Sequence, residues 1–339
     1  MIALHRIDHV CLRVADLDEA AQRWVTQFGL SVRTREAERV RLACDDEPCA
    51  LELVRAGSRL AAIQEAGPGL DHVAYELARG CSLDDAFEHL SERCDTVSRD
   101  AEGVHTYDAD GNGISVLPFR EPASRLVAHA RPGVNPAPGH PRKLGHVNFL
   151  TGDLDAQLRF YVDCLGMRLT DWLGEDGVWL HINSDHHVMA LIRSRHPTPE
   201  APAPHFHHLA FDVVDIGQMR VALDHLGRHG RWLGWGPTRH GVGGNIASYV
   251  RIVEEECFVE LYCDMEQLQS GHEPRRWPDN RYSSNTWGPL PPRSYFRFDQ
   301  AAIDSERESL EMLGTPLPPV AAPAGAAIAD SALDPKETA

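Results

Sequence analysis

The sequence lacks the features that mark several classes of protein. It contains no run of about 18 apolar residues, the length that a membrane-spanning helix requires, and no cluster of about five basic residues. The 50 acidic residues outnumber the 33 basic ones and give a formal net charge of −17. We therefore expect neither a nucleic acid nor a membrane as a partner, because both attract positively charged surfaces.

Secretion signals and disulfide motifs are missing as well. The first residues, MIALHRIDHVCLRV, contain no charged segment that leads into a sustained apolar one. None of the eight cysteines falls in a CxxC pair, and a chain of 339 residues can bury a core without disulfides. These features predict a cytoplasmic protein with reduced thiols.

An internal repeat is present, because residues 5–35 can be laid over residues 142–172. In each copy an alternating strand ends at an aspartate, a favourable helix N-cap, and an apolar-periodic helix then runs to a glycine, a favourable helix end. The aspartate and the glycine are 13 positions apart in both copies: Asp16 and Gly29 in the first, Asp153 and Gly166 in the second.

A second match extends the repeat. His72 follows His9 by 63 residues, His208 follows His146 by 62, and each of the later histidines opens a strand that leads to another amphipathic helix. Each half of the chain is thus a strand, a helix and several strands, followed by the same unit again. The pattern predicts an α+β protein of tandem βαβββ modules, with mixed sheets in two domains.

Two histidines on separate strands and a strand carboxylate make a candidate metal site in the second half. His146, His208 and Glu260 form a 2-His-1-carboxylate set, which is typical of non-haem Fe(II) oxygenases because it leaves coordination positions open for substrate and O2. Any one of them alone is more often structural, so the prediction depends on the set. In the first half, Ser115 stands where the carboxylate is needed, and we predict that this copy of the site has decayed.

The layout over residues 5–297 resembles the vicinal oxygen chelate superfamily. Within it, the chain is most similar to type I extradiol catechol dioxygenases of the homoprotocatechuate 2,3-dioxygenase branch, whose metal ligands match His146 in GHVNFL, His208 in HHLAFDV and Glu260 in FVELY. The resemblance implies Fe(II), or Mn(II) with the same ligands, and O2 and a small aromatic diol as substrates. It also implies meta cleavage of a substituted catechol to a muconic semialdehyde, and a homo-oligomer, either a dimer or a tetramer.

The resemblance further implies three catalytic residues. His187 in WLHINSDHH matches the family's acid/base next to O2, while His240 and Tyr249 in HGVGGNIASY match a histidine and a tyrosine that contact the catechol. Other interpretations are a surface histidine for His187 and core packing for Tyr249. The spacing to the glutamate is one residue longer than in the family, which makes Val250 an alternative to Tyr249, and Glu254–Glu256 is expected to be a solvated turn.

Pocket residues follow from the same resemblance. Asn148 and Trp179 match pocket positions, and Trp235 stands where the branch has an arginine for the substrate carboxylate. An aromatic side chain there indicates a less acidic or more apolar ring substituent. Arg281 and Arg293 could still meet an anion, although a surface or packing role for them is equally consistent with the sequence.

Two other functions stay open: a glyoxalase-type isomerase or transferase, whose ligands come from both modules, and a non-catalytic small-aromatic binding protein.

The composition of the sequence indicates how the chain divides, since a proline-rich segment separates the halves and an aromatic segment precedes an Ala- and Pro-rich end. The predicted parts are an N-terminal domain (1–120), a linker (121–142), a C-terminal catalytic metal-binding domain (143–265), an aromatic flap (266–317) and a flexible tail (318–339).

Overall fold

A computed structural model describes residues 2–44, 47–58, 67–121, 139–194 and 205–292, together with residues 295, 304 and 308. Within these residues the strands form two mixed sheets, one of eight strands and one of nine. No helix in this part of the chain is long and apolar enough to span a membrane. All eight cysteines are free thiols, as expected.

The first sheet has the strand order β2-β3-β4-β1-β5-β8-β7-β6. Its central strands β1 and β5 are antiparallel, and each has a parallel neighbour on its outer side. The elements are β1 (Leu4–Val14), α1 (Leu17–Phe28), β2 (Ser31–Arg35), β3 (Arg39–Ala43), β4 (Leu51–Arg55), β5 (Gly69–Leu77), α2 (Leu83–Ser91), β6 (Ser98–Arg99), β7 (Val104–Tyr107) and β8 (Gly113–Leu117).

From β10 onwards the second sheet repeats this order as β10-β11-β12-β9-β13-β16-β15-β14, and it adds β17 at the edge next to β10. A π-helical turn at Phe160–Cys164 continues its first helix. The elements are β9 (Lys143–Thr151), α3 (Leu154–Arg159), β10 (Arg168–Leu173), β11 (Gly177–His181), β12 (Met189–Arg193), β13 (His205–Asp212), α4 (Ile216–Arg228), β14 (Leu233–Arg239), β15 (Ile246–Ile252), β16 (Cys257–Cys263), β17 (Arg275–Trp277) and α5 (Arg281–Ser284).

Each sheet therefore contains the unit of one strand, one helix and three strands twice, which confirms the predicted α+β fold of tandem βαβββ modules. The helix ends lie where the repeat places them. Asp16 accepts hydrogen bonds from two backbone N–H groups of the first turn of α1, and Gly29 ends that helix in the left-handed conformation with a φ of 73°. Gly166 adopts a φ of 70° at the matching position.

Two sequence predictions about loops need correction. Glu255 is 1% exposed rather than solvated, because its carboxylate pairs with Arg23 of α1. The segment after residue 265 is not wholly irregular, since β17 joins the second sheet as a parallel neighbour of β10. Most of the predicted linker (122–138) and the whole predicted tail (318–339) lie outside the described residues.

Candidate active site

The three candidate metal ligands lie on neighbouring strands of the second sheet. His146 is on β9, His208 on β13 and Glu260 on β16. Ala210 of β13 is opposite His146 on one side and opposite Glu260 on the other. His208 is two positions before Ala210 and so shares its face of the sheet. The methyl side chain of Ala210 leaves room for the three longer side chains to converge above it.

The donor atoms of this set are close together and buried. Glu260 Oε2 is 3.0 Å from His146 Nε2 and 3.1 Å from His208 Nε2. Burial alone would raise the pKa of Glu260, but the two imidazoles lower it well below its ordinary value. Burial also lowers the pKa of His208. An ionised carboxylate and two imidazole nitrogens therefore meet at one point, and this donor set fits a divalent transition metal.

A cavity of about 170 Å³ opens directly over these ligands. An apolar cavity of roughly 150 Å³ can accept a benzene molecule, so this space has the size of one aromatic ring. Among the described residues, no lysine or arginine lines it. The lining residues outside the ligand set include Asn148, Leu150, Leu173, Trp179, His187, Ala190, Ile192, Trp235, His240, Val242, Asn245, Tyr249, Ser283, Ser284, Pro291 and Tyr295.

His187 is buried, and its ring centroid is 4.3 Å from that of His146. A chain of contacts fixes the protons of its ring. His186 Nε2 lies 3.0 Å from Asp171 Oδ2, and His186 Nδ1 lies 3.0 Å from His187 Nδ1. A neutral His186 donates through Nε2, because an ionised aspartate only accepts, and it then accepts through Nδ1, so that His187 donates through Nδ1. The lone pair of His187 is thereby left on Nε2.

Asp171 keeps its charge in the interior because several donors surround it. Burial raises its pKa, but hydrogen bonds from His186, Arg275 and Trp277 lower it well below its ordinary value. Sequence reasoning missed both Asp171 and His186. The doublet at positions 186 and 187 is the one local signal, because its two imidazoles can bond to each other.

A second pair of adjacent histidines, His207 and His208, orients the candidate metal ligand His208 on β13. His207 Nε2 donates to the carbonyl of Tyr295, and His207 Nδ1 is 2.8 Å from His208 Nδ1. His208 therefore donates through Nδ1 and directs the lone pair of Nε2 towards Glu260. This geometry selects His208 rather than His207 as the candidate ligand.

His240 and Tyr249 contact each other at the rim of the ligand set. His240 Nδ1 is 3.0 Å from the carbonyl of Ser284, so it donates there, and Nε2 accepts from the Tyr249 hydroxyl at 2.7 Å. Tyr249 is the strand partner of Glu260 and faces the cavity. Val250, the alternative from the residue spacing, packs into the apolar core instead.

The remaining predicted pocket residues divide into two groups. Asn148, Trp179 and Trp235 line the cavity, and the Trp235 indole N–H donates to the carbonyl of Pro289 at 2.8 Å. Arg281 does not line it: this arginine is exposed, and its guanidinium lies 4.9 Å from the ring centroid of its neighbour Tyr282.

Arg293, the second flap arginine predicted to meet an anion, lies outside the described residues.

Comparisons with known proteins show what this chain is similar to. Residues 143–251 match the family described as the Glyoxalase/Bleomycin resistance protein/Dioxygenase superfamily. The chain is 29% identical to metapyrocatechase 2 of Cupriavidus necator over 322 residues, and these aligned residues cover 88% of this chain and 93% of that protein. A metapyrocatechase of Geobacillus stearothermophilus is 25% identical over 135 residues, which cover 38% of this chain and 40% of that protein.

Solved structures show the same fold. An extradiol ring-cleaving dioxygenase from B. fuscum superposes with a TM-score of 0.72 at 21% identity, covering 87% of this chain and 82% of that one. A Mn(II)-bound glyoxalase from Novosphingobium aromaticivorans gives 0.70 at 21% identity, covering 87% of this chain and 94% of that one. These structures show the fold, while the family match and the similarity to metapyrocatechase 2 confirm the resemblance to the vicinal oxygen chelate superfamily and its extradiol dioxygenases that the sequence indicates.

Proposed function

We propose that this chain opens the ring of a substituted catechol next to its two hydroxyls, with O2 as the second substrate and a metal ion bound by His146, His208 and Glu260. The chain is an extradiol ring-cleaving dioxygenase, as its similarity to metapyrocatechase 2 over most of its length indicates. The observation that carries the proposal is the convergence of three buried donor atoms beneath a cavity of the size of one aromatic ring.

Fe(II) is the metal that we propose, because two histidines and one carboxylate are the usual ligands of non-haem iron oxygenases. Mn(II) accepts the same donors. When bound, the metal supplies a template that holds the diol oxygens and O2 side by side, and it lets electrons pass between them. Holding both reactants in one orientation removes much of the entropic barrier to their reaction.

The protein supplies the proton transfers. His187 Nε2 carries the lone pair that accepts a hydroxyl proton of the catechol, and the same nitrogen returns this proton as the ring opens. Burial holds the pKa of His187 well below its ordinary value, so the ring is neutral before substrate binds. The Tyr249 hydroxyl donates to His240, and its side chain faces the cavity that would hold the substrate.

The cavity favours a catechol with a neutral or apolar substituent. Trp235 closes one side, its ring stacks on Tyr249 at 5.0 Å between centroids, and no lysine or arginine of the described residues lines the space. A carboxylated side chain would therefore lose its hydration without gaining a cation. The homo-oligomeric state, the cytoplasmic location and the domain boundaries stay predictions of the sequence.

The direct test is a reconstitution with Fe(II) in the absence of air, followed by air and a panel of catechols with neutral, apolar and carboxylated substituents. We expect a yellow product, and we expect Glu260→Gln to lower the rate by about 100-fold or more. Glu256→Gln is the matched control, because Glu256 is an exposed glutamate of the same hairpin.

Absence of colour with every catechol, despite metal at His146, His208 and Glu260, would contradict the proposal and favour an isomerase or a binding protein. Preference for the carboxylated catechols would leave the reaction intact but would overturn the role given to Trp235.

A further inference from the structure

The first sheet has a cluster of potential metal ligands of its own. His9 on β1, His72 on β5 and Glu52 on β4 place their donor atoms within 4.8 Å of one another. The two imidazole centroids are 5.5 Å apart with an interplanar angle of 71°. The corresponding values for His146 and His208 are 5.6 Å and 78°, so the two histidine pairs have nearly the same geometry.

The strand register shows where the carboxylate of this cluster comes from. In the second sheet, Ala210 lies between His146 and Glu260, and its own strand carries His208 two positions earlier. In the first sheet, Cys11 lies between His72 and Glu52, and its own strand carries His9 two positions earlier.

The two arrangements are the same, except for which central strand pairs with the carboxylate strand. This is the strand of the first histidine, His9, in the first sheet and the strand of the second histidine, His208, in the second. Ser115 does occupy the position of Glu260, because it lies opposite Ala74, two residues after His72. Glu52 occupies the equivalent position on the other outer strand. The first sheet therefore keeps two histidines and one carboxylate, with the carboxylate on the opposite side of the histidine pair.

Both histidines of the cluster are oriented as metal ligands usually are. His9 Nδ1 is 2.6 Å from Asp8 Oδ1, and His72 Nδ1 is 2.9 Å from Asp71 Oδ2. A carboxylate on one ring nitrogen leaves the lone pair on the other, and most metal-binding histidines have such a partner. His9 Nε2 is buried and makes no hydrogen bond within the described residues, although an unpartnered buried nitrogen is costly.

Glu52 also pairs with Arg41, which offers a purely structural explanation of its burial. Arg41 Nε contacts Glu52 Oε2 at 2.5 Å, whereas Oε1 lies 3.8 Å from Cys11 Sγ. An ion pair between these two side chains accounts for neither the unpartnered His9 Nε2 nor the two Asp–His pairs. A ligating carboxylate that is hydrogen-bonded through its second oxygen accounts for all three observations.

We propose that His9, His72 and Glu52 bind a second divalent transition-metal ion, separate from the proposed active site. All three line a cavity of about 870 Å³, so a metal ion and the water or small anion that completes its coordination can reach them. The first copy of the site has then moved its carboxylate to another strand instead of losing it.

Co(II) is a suitable probe, since its visible absorption reports protein ligands and elemental analysis gives the stoichiometry. The full-length chain is first stripped of metal and carries His146→Ala and Glu260→Gln, which remove two ligands of the other set. We expect this protein to bind one Co(II) per chain. Adding Glu52→Gln or His9→Gln should raise the Kd by about 100-fold or more, and Asp8→Asn by about 10-fold.

His105→Gln is the matched control, because His105 lines the same cavity but is not part of the cluster, and its Kd should stay within about twofold. If His9→Gln does not fold, as judged by circular dichroism, His72→Gln replaces it. Absence of a bound Co(II), or binding that persists in the Glu52→Gln and histidine variants, would overturn the proposal. Since metal content rather than turnover is measured, this result is independent of the dioxygenase activity.

Discussion

Replacing Asp171 by asparagine should lower the stability of the protein and slow ring cleavage. This one buried carboxylate bonds both to residues of β17 and to His186, which in turn contacts His187. Its Oδ2 accepts from His186 Nε2 at 3.0 Å, from Trp277 Nε1 at 2.7 Å and from Arg275 Nη2 at 2.8 Å. Its Oδ1 accepts from Arg275 Nε at 2.9 Å, a donor that is also 3.2 Å from Oδ2, and from the backbone N–H of the same residue at 3.2 Å.

The size of the effect follows from these five donor groups. An asparagine has one acceptor oxygen and one NH2 group, and the lower-energy orientation keeps the oxygen where three donors meet. The NH2 group then faces the two donors of Arg275, so two hydrogen bonds are lost. At about 1.5–3 kcal/mol for each bond to a charged group, the loss is about 3–6 kcal/mol. Arg275 is partly exposed and also pairs with Glu266, so we expect the lower end, about 3 kcal/mol.

Thermal denaturation at pH 7 measures this loss, which corresponds to roughly 6–12 °C at about 2–4 °C per kcal/mol. The pKa of Asp171 is depressed, so its stabilisation is present at neutral pH and is lost as the pH falls below its ordinary pKa of 3.8. The difference between the two proteins should therefore shrink in acid. Glu266→Gln is the control and should cost about 1 kcal/mol or less.

The same variant should lower kcat for ring cleavage by up to about 10-fold, because its amide oxygen still accepts from His186 but no longer carries the negative charge that strengthens this bond. A loss of stability below about 1 kcal/mol together with an unchanged kcat would refute the reasoning on both counts, since the hydrogen bonds of Asp171 and its charge beside His186 are its premises.

Three further predictions follow. Gly145→Ala should cost about 1–3 kcal/mol in urea denaturation, because a Cβ there would lie 1.8 Å from the hydroxyl of the buried Tyr262; an unchanged midpoint would contradict this. Tyr249→Phe should lower kcat about 10-fold or more with full iron content, and equal turnover would remove it from the mechanism. Burial raises the pKa of Glu255 to about 7 even beside Arg23, so stability should fall as the pH rises from its ordinary value of 4.5 towards 7; thermal melts of Glu255→Gln should lack this slope.

The fold could be predicted because its signals are local and occur twice. The aspartate that begins a helix, the glycine that ends it and the spacing of the histidines are all read within about 70 residues. Glu255 was harder to predict, because a charged residue in a polar segment is ordinarily exposed. Arg281 was harder because its place in an aromatic segment is consistent with either a pocket or the surface. Glu255 is buried because Arg23, on a helix of the other half of the chain, reaches it. Arg281 stays at the surface, where it stacks on its neighbour.

The two histidine doublets show which part of the site a sequence pattern cannot supply. A pattern places a pair of imidazoles on a strand or next to one, but the proton positions decide which of them offers a lone pair to a metal or a substrate. In the second sheet those positions are set by acceptors distant in the chain: Asp171, 15 residues before His186, and the carbonyl of Tyr295, 88 residues after His207. Any substitution that displaces either acceptor should act on the site through the doublet, without touching a ligand or the substrate.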